Sequence, residues 1–512
     1  QRTVGAAVVG GLFLASTATA TELPNERLAL VAFQLSTMAA AATAGLVCYR
    51  LIATLHGRRV GLAAGAALGV ATPVGFWATL PKRHTVVATL TLGAVYAFTV
   101  SRQREGRAAL QARAGAYVLA GYITWVHAFE ALFVVVVLGV VDLLTARSNG
   151  VKQLLVVGLA LSVALTPMAA TNYAISGNPA EPPRLLPSVG TDVEFSPLPE
   201  PQTGGETVNG SGGAEAITDG SGSSAGSGAA GTPDNGGGGF EFSVAPVISV
   251  IQDASGTIST FAGGEFVRGV NTLGDSRQLW HTFVRSGSIP GVGYGGNDNE
   301  RIELALLEAM PVLGTLAALP VLVGRRLLTV ADYSLRELDP RTASPARKTD
   351  LLVVALAVVM TVVYLPRLPL FSTLTVRYLH PVVPLVFYGV CRLPAVRAGA
   401  GESRWLGGSY LAAVTVATVL SLGSIVGLGL AVGEAVQFSA LVNLGAAVCG
   451  AVAVLGRTLR PERVDARWVA TGIALPAAFT TTYLLLSGLV YFRYGRYAID
   501  VVRVVAETLP AL

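Results

Sequence analysis

Long apolar runs recur along this chain, and they leave it few folds to choose from. They lie near 28–52, 60–80, 86–100, 114–127, 129–146, 153–175, 302–324, 351–366, 381–393, 405–433, 440–456 and 468–492, and a further run covers 4–20. A helix needs roughly 20 apolar residues to cross a bilayer. Runs 86–100 and 381–393 are short, so they borrow flanking residues. The expected fold class is all-α. It is a polytopic integral membrane helical bundle of about 12–13 transmembrane helices with one large, partly disordered outer loop.

Composition agrees. Hydrophobic residues make up 52% of the chain and charged ones 13%, against about 25% charged in soluble domains. That excludes a soluble enzyme, a nucleic-acid binder and a disordered chain. Net charge is +5. In a membrane protein such an excess reads as arginine gathered in cytoplasmic loops rather than as affinity for nucleic acid. Cys48, Cys391 and Cys449 all sit in apolar runs and form no metal-binding pair.

The loops give an orientation. Arg58 and Arg59, then Arg102, Arg104, Arg107 and Arg113, then Arg147 and Lys152 follow successive spans. Arg325, Arg326, Arg336, Arg341, Arg347 and Lys348 crowd one later loop. Arg397 with Arg404, and Arg457, Arg460, Arg463 and Arg467, complete the set. These loops alternate along the chain, fall on one side, and mark that side as cytoplasmic. The expectation is a multi-pass protein of the cell membrane. Residues 1–175 form the N-terminal transmembrane helices, 176–301 an extracytoplasmic loop, 302–495 the C-terminal transmembrane helices, and 496–512 a short outer tail. Run 4–20 is either a full first span or a re-entrant helix that closes an outer loop.

Within the outer loop, 203–239 is nearly all Gly, Ser, Ala, Thr, Asn, Asp and Glu, a composition that predicts disorder. Residues 264–286 space Phe266, Val267, Val270, Leu273, Leu279, Trp280, Phe283 and Val284 near the helical period. That spacing predicts one or two amphipathic helices on the outer membrane surface, or a small packed subdomain. Asn209-Gly210-Ser211 is a glycosylation sequon.

Ionisable groups at the outer membrane boundary are the informative ones, because they are costly there unless paired or hydrated. Three clusters stand out. Lys82, Arg83 and His84 put three potential cations in a short outer loop, against the charge trend, as a phosphate or another anion would require. Headgroup snorkelling is the structural alternative. Trp125, His127 and Glu130 mark a hairpin tip, with His127 and Glu130 on one face if the helix continues. Glu130 there suits a base, a cation ligand or a partner for His127. Arg377, Tyr378 and His380 precede Pro381 at a helix start, where Arg377 suits an anion and His380 a cap or a ligand. Glu22 and Glu26, beside Asn25 and Arg27, lie in the first outer loop, and Asp298, Glu300, Arg301 and Glu303 precede another span on that side. Asp142 and Glu308, inside apolar runs, are expected to pair within the bundle. The Gly/Ala run from Gly61 to Val70 is expected to mediate close helix packing.

These features resemble a known group. Tyr49-Arg50-Leu51, then His56-Gly57-Arg58-Arg59, a Gly/Ala-rich helix and Ala71-Thr72-Pro73 look like the second and third spans of GT-C class polytopic glycosyltransferases. Arg377-Tyr378-Leu379-His380-Pro381-Val382-Val383-Pro384-Leu385 resembles the R-Y-L-x-P-x-x-P-L start of a late span in many of them. The chain also resembles uncharacterised archaeal membrane proteins of this type. The likeness covers 28–175 and 302–393. It implies a membrane glycosyltransferase that takes a sugar from a polyprenyl-phosphate donor at the outer face. An acidic residue would serve as base or hold a divalent metal, and basic residues would neutralise the leaving phosphate. Glu22, Glu26 and Glu130 are the catalytic candidates. Lys82, Arg83, His84, His127, Arg377, Tyr378 and His380 are the substrate-binding ones. Membrane lipids and a lipid-linked sugar donor are the implied partners.

The departure from that family lies in its acidic first-loop motif. Here only Glu22 and Glu26 stand near it, around Pro24 and Asn25. The chain opens on Gln1 rather than Met, so one expectation places the acidic motif, and with it a divalent metal ion, upstream of Gln1. The others are a non-catalytic scaffold, with the flexible outer loop as a tether, and a polytopic transporter or flippase with Glu130, Asp142 or Glu308 on its path.

Overall fold

The computed structural model describes residues 25–80, 82–179, 263–286, 304–329, 340–368, 377–430 and 432–494. Run 4–20, Glu22, the sequon at Asn209, the stretch 203–239, the segment from Asp298 to Glu303 and the tail at 496–512 lie outside them. Nearly all described residues are helical, and none of them is in a strand. Among the described residues, seven helices are long and apolar enough to cross a membrane, or eight if the bent pair Arg377–Arg392 and Pro394–Gly401 is one span. The chain is an all-α, multi-pass membrane bundle.

One of the seven is itself two arms. The helix Gly106–Thr145 has 40 residues and a non-helical His127 near its middle, at φ −161° and ψ 96°. Arg113 Nε donates to Asp142 Oδ2 at 2.8 Å, and the Tyr117 hydroxyl donates to the same oxygen at 3.0 Å. Along a straight helix those partners would be roughly 40 Å apart. The arms therefore run side by side, with the tip of the hairpin at His127.

Other spans are interrupted where the sequence carries breakers. Gly57, at φ 90°, separates Asn25–His56 from Arg58–Val70. A side chain is strained at that φ, so glycine makes the tight reversal possible. The returning helix packs closely: a Cβ at Gly61 would meet Ala53 Cβ at 2.7 Å, and one at Gly65 would meet the Gly45 carbonyl at 2.8 Å. Small residues here let two backbones approach, as close packing of membrane helices requires. Run 302–324 becomes Leu306–Ala309, a 3₁₀ stretch Pro311–Ala318, and Leu319–Thr329. Pro311 has no N–H for the next α-helical bond. Ser344 caps Pro345–Tyr364 by accepting from the Arg347 N–H, with Pro345 in the first turn.

The α-helix near Pro381 begins later than the sequence suggests. Arg377–Val382 is a 3₁₀ turn, and the α-helix runs Val383–Arg392 with Pro384 in its first turn. Prolines three residues apart remove two amide donors, so the first of them cannot sit in an α-helical ladder.

The arginine-bearing ends gather together. Arg147 pairs with Glu105 at 2.7 Å. Arg325 donates to the Thr458 carbonyl at 2.7 Å. Arg392 and Arg397 both reach His56, at 2.9 and 3.1 Å. Just inside this end, Asp142 receives Arg102 at 2.5 Å as well as Arg113 and Tyr117.

At the opposite end, residues 263–272 and Ser276–Phe283 form two helices. Asp275 caps the second by accepting from the Arg277 and Gln278 N–H groups. Gln278 donates to the Leu365 carbonyl at 2.7 Å, which ties this segment to the end of a span. Phe266, Val267, Val270, Leu273 and Trp280 remain exposed, as an apolar face lying on a bilayer would be. Glu308 is fully buried. It accepts from Arg285 at 2.5 Å, from the Ser286 hydroxyl at 2.7 Å and from the Ala305 N–H at 2.9 Å. Asp142 thus pairs within the bundle, whereas Glu308 pairs with Arg285 and Ser286 of the loop segment that follows the second of these helices.

Candidate functional site

The three ionisable clusters, far apart in sequence, meet at one end of the bundle. Their meeting point is built around Trp77, on the short helix Val74–Ala78. Side-chain hydrogen bonds fix that helix. Thr85 Oγ1 donates to the Trp77 carbonyl at 3.1 Å, Thr37 to the Ala78 carbonyl at 2.8 Å, and Gln34 to the Thr79 carbonyl at 3.1 Å. Trp77 is 3% exposed. Its ring centroid lies 6.2 Å from that of His84 and 6.2 Å from that of His380, edge-on to both.

From there an aromatic path leads to Glu130. His84 stands 5.7 Å from Tyr378, Tyr378 stands 5.7 Å from Tyr364, and Tyr364 stands 6.3 Å from Phe129. The Tyr364 hydroxyl donates to Glu130 Oε1 at 2.5 Å. Tyr364, Phe129 and Trp77 are site residues that the charge pattern did not reveal. The one signal for Tyr364 is its place just before Leu365-Pro366-Arg367, at the end of a helix.

The hairpin tip brings His127 to Glu130 in an unexpected way. The helix does not continue through His127, so a shared helical face does not bring the two together. The break makes His127 an N-cap instead. Its Nδ1 accepts the Glu130 N–H at 3.4 Å and lies 3.6 Å from Glu130 Oε1. A cap satisfies an amide that the start of the second arm would otherwise leave open. Trp125 faces outward, 54% exposed, and donates to Thr171 Oγ1 at 3.1 Å. Trp77, not Trp125, is the indole of this site.

Three cations lie next to these side chains in the chain or in space. Lys82 Nζ sits 5.9 Å from the centroid of the Trp77 ring. The Arg377 guanidinium lies 4.9 Å above the Tyr378 ring and donates to its hydroxyl at 3.1 Å. Arg83 is exposed and has no hydrogen bond or ion pair among the described residues. The charges of Lys82, Arg83 and Arg377 all reach His84, and that of Arg83 reaches Glu130. Of the catalytic candidates in the first loop, Glu22 lies outside the described residues. Glu26 falls in the first turn of Asn25–His56, with its side chain outside the description.

The interior of the site is short of partners. Glu130, His84 and His380 are 1%, 4% and 1% exposed. Among the described residues, Glu130 Oε2, His84 Nδ1 and both ring nitrogens of His380 have no hydrogen-bond partner. His380 therefore does not cap its helix. A buried polar atom without a partner costs about 1–3 kcal/mol, and groups left so in a folded protein call for a ligand, a water or a chemical role. Among the described residues no three His, Cys, Asp or Glu side chains gather as a metal-ligand set.

The arrangement sets Lys82, Arg83 and Arg377 beside a cluster that holds a buried carboxylate and an indole. Comparison with protein-family models, with curated proteins and with solved structures finds no match for this chain.

Proposed function

We propose that the chain is a membrane glycosyltransferase of GT-C type, moving a sugar from a polyprenyl-phosphate donor at this end of the bundle. The observation that carries the reading is the set of unpartnered buried atoms on Glu130, His84 and His380, beneath a rim of Lys82, Arg83 and Arg377. The rim suits the donor phosphate: Lys supplies a point charge and Arg a planar pair of donors. Trp77 and Tyr378 supply flat faces on which a sugar can rest.

The step balances with these groups. An acceptor hydroxyl attacks the anomeric carbon, and the bond from that carbon to the phosphate oxygen breaks. The electron pair leaves with the phosphate, whose growing charge meets the rim cations. The acceptor proton passes to Glu130 Oε2, the oxygen that Tyr364 does not hold. Tyr364, bonded to Oε1, fixes the direction in which the carboxylate points.

The test is transfer by the full chain in nanodiscs, with polyprenyl-phosphate hexoses as donors and release of the lipid phosphate as the readout. The wild type is expected to consume at least one donor. Arg377→Ala should cut the rate about tenfold to a hundredfold, roughly one to two factors of 1.4 kcal/mol, while its thermal unfolding stays close to wild type. No consumption of any such donor by the wild type would reject the reading. Full activity in Arg377→Ala would remove Arg377 from the phosphate site.

A further inference from the structure

The opposite, arginine-bearing end holds a second group of side chains with more donors than acceptors. Asp350 is well used: Arg392 Nε and Nη2 reach its two oxygens at 2.7 and 2.8 Å, and the Tyr388 hydroxyl adds 2.7 Å. Arg392 Nη1 also lies 2.9 Å from His56 Nε2, while Arg397 Nη1 lies 3.1 Å from His56 Nδ1. A neutral imidazole has one acceptor nitrogen, and a charged one has none. At most one of these guanidinium groups can therefore donate to the ring. Arg392 already has its carboxylate. Arg397 has no ion pair among the described residues, and its buried Nε has no hydrogen-bond partner. It is the guanidinium left short, and its open donors call for an anionic oxygen.

A groove is lined by chain neighbours of both arginines. It has a volume of about 440 Å³ and is lined mainly by Ala, Val and Leu side chains. Val390 and Cys391 line it beside Arg392, and Val396 lines it beside Arg397. Arg59, three residues past His56, stands in its wall as its cationic member. The chain bends by 82° between these two helices, so one corner carries both the open guanidinium and the apolar channel. In the bilayer that such a bundle spans, anionic phospholipids supply an anion joined to apolar chains.

We propose that this corner binds one anionic phospholipid, its phosphate on Arg397 and an acyl chain in the groove. The site is separate from the outer one and does not depend on the proposed transfer reaction.

Native mass spectrometry of the full chain in detergent tests this directly. Dioleoyl phosphatidylglycerol, dioleoyl phosphatidylcholine and inorganic phosphate are titrated in separate arms. One phosphatidylglycerol should bind at least tenfold more tightly than phosphatidylcholine, and inorganic phosphate should bind far more weakly than either. Arg397→Gln should remove that tenfold preference, while Arg147→Gln, in an exposed pair, should keep it. Equal binding of the two lipids would overturn the anion assignment. Phosphate binding as tight as phosphatidylglycerol would overturn the lipid assignment. The lipid and phosphate arms use the unaltered chain, so they decide even if Arg397→Gln does not fold. An unchanged preference in Arg397→Gln would overturn the placement.

Discussion

Asp142 and Glu130 sit on the same hairpin arm, each 1% exposed, and they are held in opposite ways. Asp142 receives two arginines and a tyrosine, and its arginines are fastened further. Arg113 also donates to the Ser148 carbonyl at 3.0 Å and to Asn149 Oδ1 at 2.8 Å. Glu130 receives one tyrosine hydroxyl and leaves an oxygen bare among the described residues. Burial is equal, so burial alone does not tell a structural carboxylate from a working one. The difference lies in supply. A buried charge kept for stability is matched by cations and donors, whereas one kept for chemistry must leave room for its substrate.

The contrast is broken or sharpened most strongly by neutralising each carboxylate in turn. Glu130→Gln keeps shape and an acceptor for Tyr364 but cannot take a proton. On the proposed mechanism, transfer from polyprenyl-phosphate sugar should fall about 10²–10⁴-fold, with unfolding in detergent changed little. If Glu130→Gln lowers the unfolding temperature as much as an Asp142 variant does while activity survives, the two carboxylates are alike and the contrast fails.

Asp142→Ala should do the reverse. It leaves Arg102 and Arg113 buried without their counter-charge, and removing one partner of a buried ion pair costs about 3–5 kcal/mol. Thermal unfolding of the purified full chain measures this. A loss below about 1 kcal/mol would mean that the network contributes little and that its many contacts mislead.

Much of this was legible in the sequence, and the reason is the solvent. Bilayer thickness sets the length of an apolar run, so the long spans could be read from such runs, and the loop arginines sorted the two ends. The runs at 60–80 and 302–324 are instead interrupted helices, and among the described residues seven helices, or eight with the bent pair, are long and apolar enough to span. The hairpin tip at 125–130 was visible as a polar break between two runs. The meeting of Lys82, Glu130 and Arg377 regions at one place was not, because no single-residue pattern encodes which helix ends are neighbours. Trp77 and Tyr364 were missed for a related reason: within an apolar run an aromatic looks like ordinary core. His127 shows the limit of spacing arguments. Three residues on a helix imply a shared face, but a chain that breaks at the first of them turns that residue into a cap.

The smallest expected effect gives the finest test, and it concerns His380. Both its ring nitrogens are buried without partners among the described residues, so the native fold gains nothing from their polarity. Replacing an unpartnered polar group by an apolar one of similar size is nearly neutral or stabilising. His380→Leu should therefore leave unfolding within about 1 kcal/mol of wild type, or raise it slightly. Activity should nevertheless fall, because on the proposed reading the imidazole faces the substrate that completes its hydrogen bonds. The two readouts separate the alternatives. A variant that is clearly less stable places a hidden partner at His380 and moves it to the side of Asp142. A variant that is stable and fully active makes His380 a tolerated polar residue, and the site then rests on Glu130 and the rim alone.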